Sequence, residues 1–107
     1  MAKIMELTMV RGDTLAFDVR FEGLDTDLAS AAFTCKTKGT SSSSIFSKTL
    51  NSGISKVSTG VYRVRVAPAD TANVAAGEYV YDLQVGLGSD IYTIILGNLK
   101  ILQDATN

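Results

Sequence analysis

From Leu15 to Glu22 the chain alternates: Leu15, Phe17, Val19 and Phe21 fall on one side, Ala16, Asp18, Arg20 and Glu22 on the other. A period of two is that of a β-strand with one buried face, because successive side chains of an extended backbone point to opposite faces. The same period returns at Ala31, Phe33 and Cys35, and at Tyr62, Val64 and Val66 against Arg63 and Arg65. It returns again at Tyr79, Tyr81, Leu83 and Val85 against Glu78, Val80, Asp82 and Gln84. A further run passes through Tyr92, Ile94 and Leu96 and ends at Leu99 and Ile101. The pattern places Tyr62, Tyr79, Tyr81 and Tyr92 on inward faces. With an opening strand around Met5, Leu7 and Met9 and a weaker one from Phe46 to Leu50, about eight strands are expected. Turn residues separate them at Gly12-Asp13, Gly23 to Asp27, Gly39 to Ser44, Asn51 to Gly53, Thr59-Gly60 and Gly88 to Asp90.

Only Pro68 to Val74 reads as helical, with Pro68 opening a turn and Asp70 and Thr71 placed to cap its amides. A short helical link before a strongly alternating strand is what precedes strand F of an immunoglobulin-like sandwich. Tyr79 is then a candidate tyrosine corner, its ring inward and its hydroxyl tied to backbone upstream; an ordinary core tyrosine, or Tyr81 in that role, is the alternative. The tract Gly39-Thr40-Ser41-Ser42-Ser43-Ser44 is too polar to bury and reads as a hairpin connection. The expected fold is all-β: an immunoglobulin-like antiparallel two-sheet sandwich of about seven to nine strands, with one short helical turn near residues 68–74. Residues 1–107 form one domain, since 107 residues leave no room for a second core.

Ten basic against eleven acidic residues give a net charge of −1, which removes the long-range field that draws proteins to nucleic acid or anionic lipid. The single cysteine, Cys35, excludes an internal disulfide and reads as a small core hydrophobe. Met1-Ala2-Lys3-Ile4-Met5-Glu6 reaches an acidic residue before an apolar stretch of signal-peptide length, so no export is expected. Apolar runs such as Ile94-Ile95-Leu96 are far shorter than the roughly 20 residues of a membrane helix, and a soluble protein is expected.

Candidate chemistry is sparse. There is no histidine, which excludes a Ser-His-Asp triad, a Cys-His dyad and histidine metal sites. Asp25 and Asp27 are the closest carboxylate pair, but a calcium site wants more oxygen ligands at defined offsets, and turn chemistry is the stronger reading. Gly86-Leu87-Gly88 joins two strands and opens no helix that could hold a phosphate. Arg11-Gly12-Asp13 spells an integrin-recognition tripeptide, yet Gly12 and Asp13 are also what a tight turn requires. Arg63 and Arg65, with Arg20 or Lys36, could form a basic patch, or a solvated sheet face that discourages edge pairing. Asp82 is expected to point outward with Glu78 and Gln84. No catalytic, cofactor-binding or metal-ligating residue is assigned, no cofactor is expected, and the chain reads as not an enzyme.

Several segments together carry a family likeness. Arg11-Gly12-Asp13-Thr14 before an alternating strand, Gly60-Val61-Tyr62, Pro68-Ala69-Asp70-Thr71, Gly77-Glu78-Tyr79-Val80-Tyr81-Asp82-Leu83-Gln84-Val85, and Tyr92-Thr93 followed by Gly97-Asn98-Leu99-Lys100-Ile101 cover nearly the whole chain. In these the chain resembles small phage and prophage proteins, and through them the N-terminal immunoglobulin-like domain of phage baseplate upper proteins. The resemblance implies a virion structural module, tail- or baseplate-associated, that assembles as oligomers with other phage structural proteins and has no catalytic residues. It implies a location in the virion, or in the bacterial cytoplasm before assembly. Nucleic acid, membrane and small-molecule ligands are not expected partners. The alternative is a carbohydrate or host-surface binding module, a frequent use of β-sandwiches.

The strand assignment makes its own prediction. Phe17→Ala is expected to lower unfolding free energy by roughly 3–5 kcal/mol and Asp18→Ala by little, measured by urea denaturation. Reversed effects would place this strand one residue out of register.

Overall fold

Nine strands and one short helix organise the described residues, 3–38 and 44–104, of the computed structural model. They are β1 (Lys3–Ile4), β2 (Leu7–Val10), β3 (Leu15–Arg20), β4 (Ser30–Lys36), β5 (Phe46–Leu50), β6 (Gly53–Ser58), β7 (Val61–Val66), α1 (Pro68–Thr71), β8 (Gly77–Leu87) and β9 (Asp90–Leu102). Most of the Ser-rich connection expected at residues 39–44 lies outside the described residues.

The strands follow one hydrogen-bonded path, β1-β9-β8-β4-β5-β6-β7-β3, with β2 also on β9. This path folds over itself. Phe17 of β3 and Phe33 of β4 are separated by three strands along it, yet their rings meet edge to face at 5.7 Å. The layer of β6, β7 and β3 therefore packs on the layer of β5, β4, β8 and β9, as in an immunoglobulin-like sandwich. The fold-over is made at Asn51-Ser52-Gly53, where Asn51 (φ 69°) and Gly53 (φ 104°) adopt left-handed backbone. Asn tolerates that conformation better than most residues because its short polar side chain can hydrogen-bond to nearby backbone.

Two features depart from the expected antiparallel sandwich. β1 and β2 run parallel to β9, and the contact of β5 with β6 is a short parallel one. β6 also falls where no strand was expected: its burial is confined to Ile54, with the remaining five residues exposed, so no alternation marks it.

Alternating residues from both layers fill the core. Phe33, Cys35, Val66 and Leu99 are fully buried, with Ile54, Val64 and Ile101 close behind. Phe33 is the hub, touching Phe17 (5.7 Å), Phe46 (6.1 Å) and Tyr81 (5.4 Å) between ring centroids. Edge-to-face and tilted pairs of this kind contribute about 0.5–1.5 kcal/mol each beyond area burial. Phe17 is itself only partly buried, at the rim of the sandwich, so the cost of truncating it falls toward the low end of the range given above.

The expected helical turn is shorter than drawn, Pro68–Thr71. Asp70 accepts the Ala67 N–H at 2.7 Å and pairs with Lys48 of β5 at 2.6 Å, joining the helix start to the opposite layer. Thr71 does not cap the helix. Fully buried, its hydroxyl accepts the Gly12 N–H at 2.9 Å and so fastens the β2–β3 turn.

In β9 the expected inward set Tyr92, Ile94 and Leu96 is corrected. Leu83 pairs with Ile95 and Gln84 with Thr93, so Ile94 is an extra residue, a β-bulge that shifts the phase of the strand. Beyond it Ile95, Gly97, Leu99 and Ile101 face inward and Leu96 is 38% exposed. Tyr92 stands opposite Val85 but is 50% exposed. Among the described residues β1 covers the outer edge of β9 only from Ile95 onward, which leaves the Asp90–Ile94 end bare.

Burial pushes the Cys35 thiol up to about 12 from its ordinary 9.0. The unfolded chain loses that proton first, so the linked stability is intact below pH 9 and is lost as pH rises toward the folded value. Native protein is accordingly expected to resist thiol-modifying reagents at mildly alkaline pH and to react completely in urea. Rapid labelling of the native state would contradict a core position for Cys35.

Candidate functional site

The structure takes most of the sequence candidates for chemistry into local contacts. Arg11 of the Arg11-Gly12-Asp13 turn pairs with Asp104 at 2.9 Å, and Gly12 is tied down by Thr71. The tripeptide is thus a fastened turn, its guanidinium already engaged. Asp27 accepts from Lys56 at 2.6 Å while Asp25 is exposed, and among the described residues no His, Cys, Asp and Glu side chains gather as a metal-binding group. Gly86-Leu87-Gly88 is the end of the β8–β9 hairpin, with Gly88 in the left-handed region (φ 61°).

Arg20, Arg63 and Arg65 do share the outer face of the β3–β7 pair, opposite Val61, Asp18 and Ala16 respectively. Lys36 does not join them, because β4 belongs to the other layer. Arg63 is engaged by Asp18 through two hydrogen bonds, 2.8 and 3.3 Å. The bond from Arg63 holds the Asp18 carboxyl below its ordinary value. Asp82 lines an open depression of mixed character, with Lys36, Gln84 and Asn98 beside Val80 and Leu96, on the outer face of β4, β8 and β9, where it was expected to point.

The tyrosines hold the frame. Tyr79 donates to the Ala75 carbonyl four residues upstream, the hydrogen bond of a tyrosine corner. Tyr62 is buried, and its hydroxyl accepts the Leu28 N–H at 3.0 Å, anchoring the loop between β3 and β4. Tyr81 reaches furthest: from β8 its hydroxyl crosses β9 to donate to the Met5 carbonyl.

What remains is a pair of sheet edges that differ in kind, a property of topology that no local pattern carries. The outer edge on β9 is interrupted. β1 and β2 keep one register along β9, Lys3 opposite Ile95 and Leu7 opposite Leu99, but the strand breaks at Met5–Glu6. At the break Met5 donates to Leu96 at 3.0 Å and its carbonyl turns to Tyr81. Gly97 lies beneath, and a Cβ there would collide with the Met5 carbonyl, so only glycine admits this close approach. Short strands and breaks of this kind blunt an edge against pairing with another chain.

The edge at β3 is regular. All six residues pair with β7 without a bulge, and no strand is hydrogen-bonded to the other side among the described residues. Phe21 donates to the Gly60 carbonyl at 2.8 Å, which fixes the alternation. Leu15, Phe17 and Val19 direct their backbone groups to β7, and Ala16, Asp18 and Arg20 direct theirs to the open side. Beside this edge runs a crevice of about 390 Å3 whose apolar walls are Met5, Phe17, Val19, Phe21, Ile94 and Ile95. An open ladder next to an apolar groove is suited to receiving an extended strand.

No family model matches the chain, and a search of curated protein sequences finds no relative. Among solved structures, the endo-β-1,4-mannanase from Thermotoga petrophila is similar over 97% of this chain and 18% of its own, with a TM-score of 0.59 at 12% identity. The extracellular domain of the voltage-gated sodium channel β4 subunit aligns over 97% of this chain and 95% of its own, with a TM-score of 0.49 at 11% identity. At 12% identity the likeness to the mannanase is one of fold alone, and the chain spans less than a fifth of that protein. Layers, strand path and tyrosine corner define an immunoglobulin-like β-sandwich.

Tyr81→Phe is expected to cost about 1 kcal/mol, the net worth of one hydrogen bond, and to speed amide exchange across β1 and β2 with little change in β3. Unchanged exchange at the N-terminal strands would mean that the hydroxyl does not anchor them.

Proposed function

We propose that this chain is a non-enzymatic structural interaction module of a phage or prophage particle, tail- or baseplate-associated, that assembles by strand addition at the open edge of β3. The observation that carries the reading is that edge: six residues in regular register, backbone groups directed outward, an apolar crevice alongside. A place in a particle rests on the segment likeness, from Arg11-Gly12-Asp13-Thr14 to Gly97-Asn98-Leu99-Lys100-Ile101, to baseplate proteins. The non-enzymatic reading draws on the lack of histidine in the sequence and on four aspartates engaged in ion pairs: Asp18 with Arg63, Asp27 with Lys56, Asp70 with Lys48 and Asp104 with Arg11.

A second reading, a carbohydrate or host-surface binding module, gains one specific feature. Tyr92 is half-exposed beside Ile91, which is 62% exposed, at the β8–β9 hairpin end, so a ring is available for stacking on a sugar face.

Co-expression with the structural proteins encoded beside this chain, followed by size-exclusion chromatography with light scattering, separates the two. A defined complex that is lost on substituting β3 is the expected result. Elution alone as a monomer in every combination, together with glycan-array binding that Tyr92→Ala abolishes, would overturn the assembly reading in favour of the second.

A further inference from the structure

We infer that the occupant of the open β3 edge is a second copy of this chain, paired antiparallel about Val19, so that Asp18 of each copy faces Arg20 of the other. Self-pairing presupposes the edge-assembly reading above and names its first partner.

Three independent properties of β3 agree on this register. Placing Val19 on a two-fold axis sets residue 18 opposite residue 20, residue 17 opposite residue 21 and residue 16 opposite residue 22. The backbone groups of Ala16, Asp18 and Arg20 are the ones directed outward, so Asp18 and Arg20 of the second copy form a hydrogen-bonded pair in which each donates to and accepts from the other. A slip of one residue would face an outward-directed group against one already paired to β7, and the ladder would not form.

Charge selects the same alignment. Asp18 and Arg20 lie on the exposed outer face of β3. Across the dyad the outer face would carry Arg63, Asp18, then Arg20 of the second copy, and by symmetry the same series in reverse. Asp18, already bonded to Arg63, gains a second cation, and opposite charges directly across a ladder are favourable. Antiparallel registers shifted by two residues either way lose this match: one sets Asp18 against Asp18 and Ala16 against Arg20, the other Arg20 against Arg20.

The inner face closes with the outer one. Phe17 meets Phe21 of the second copy, Phe21 meets its Phe17 and Val19 meets Val19, beside the crevice that leaves these three residues only partly buried in the single chain. The layer of β6, β7 and β3 would continue into its counterpart as one six-stranded sheet. The opposite edge is broken at Met5–Glu6, and its bare stretch, Asp90–Ile94, ends in the bulge at Ile94, so it offers no equivalent regular run.

Charge reversal tests this in the full chain. Sedimentation velocity over a concentration series is expected to give a dimer for the natural sequence. Arg20→Asp sets carboxylate against carboxylate across the dyad, and Asp18→Arg sets guanidinium against guanidinium, each twice by symmetry. Each variant alone is therefore expected to self-associate at least roughly tenfold more weakly. Arg20→Asp leaves the Asp18–Arg63 pair in place, and circular dichroism checks that both variants fold. An equimolar mixture of the two restores an opposite-charge arrangement across the dyad and is expected to restore the dimer. A monomeric natural sequence at millimolar concentration, undiminished association of Arg20→Asp, or a mixture that stays monomeric would each overturn the self-pairing. If the natural chain is monomeric alone yet forms a β3-dependent complex with a neighbouring structural protein, self-pairing falls while the assembly reading stands.

Discussion

Phe33 is the point on which the two layers turn. It is fully buried on β4, and it touches a ring from β3 in the facing layer and rings from β5 and β8 on either side of it. A sheet that curls over itself without closing is held chiefly by what its inner faces bury, since no hydrogen bond joins β1 to β3, the two ends of its path, among the described residues. Those inner contacts fix the separation of the layers. Lys3 of β1 and Phe17 to Arg20 of β3 line the crevice between the layers, and the two strands share no ladder among the described residues.

The two edges show how differently a chain can treat exposed backbone. On β9 the covering strand is broken, with Tyr81 and Gly97 accommodating a carbonyl that has left the ladder. On β3 nothing of the kind occurs: there is no proline, no bulge and no break, and the outward charges are of opposite sign at adjacent outward positions. Edge strands in monomeric proteins are ordinarily defended, because an open regular edge recruits another chain. An undefended one is coherent if recruitment is its purpose.

Strands were legible where one face is buried and the other wet. β3, β4 and β7 alternate throughout and β8 from Tyr81 to Val85, and the helical link before β8 with its tyrosine corner was legible from Pro68, Asp70 and Tyr79. β6 was not, because a strand that buries one residue leaves no period to read. The phase of β9 was misplaced since a bulge inserts one residue without changing composition, and Ile94-Ile95-Leu96 is apolar in either phase. The candidate site was barely legible. Leu15 to Arg20 announces a strand, but whether that strand ends a sheet depends on pairings between residues distant in sequence. The alternation of Asp18 and Arg20 is visible in the sequence, but nothing local says which strand those side chains would face.

Residue-resolved amide exchange, followed from dilute to concentrated protein and then in complex with neighbouring structural proteins, addresses the role of the β3 edge most directly. The amides of Leu15, Phe17 and Val19, directed to β7, should be protected throughout, while those of Ala16, Asp18 and Arg20 should exchange quickly in dilute monomer and slow on assembly. Rapid exchange of Ala16, Asp18 and Arg20 in every assembled state would contradict the account, because the edge would then remain open to water.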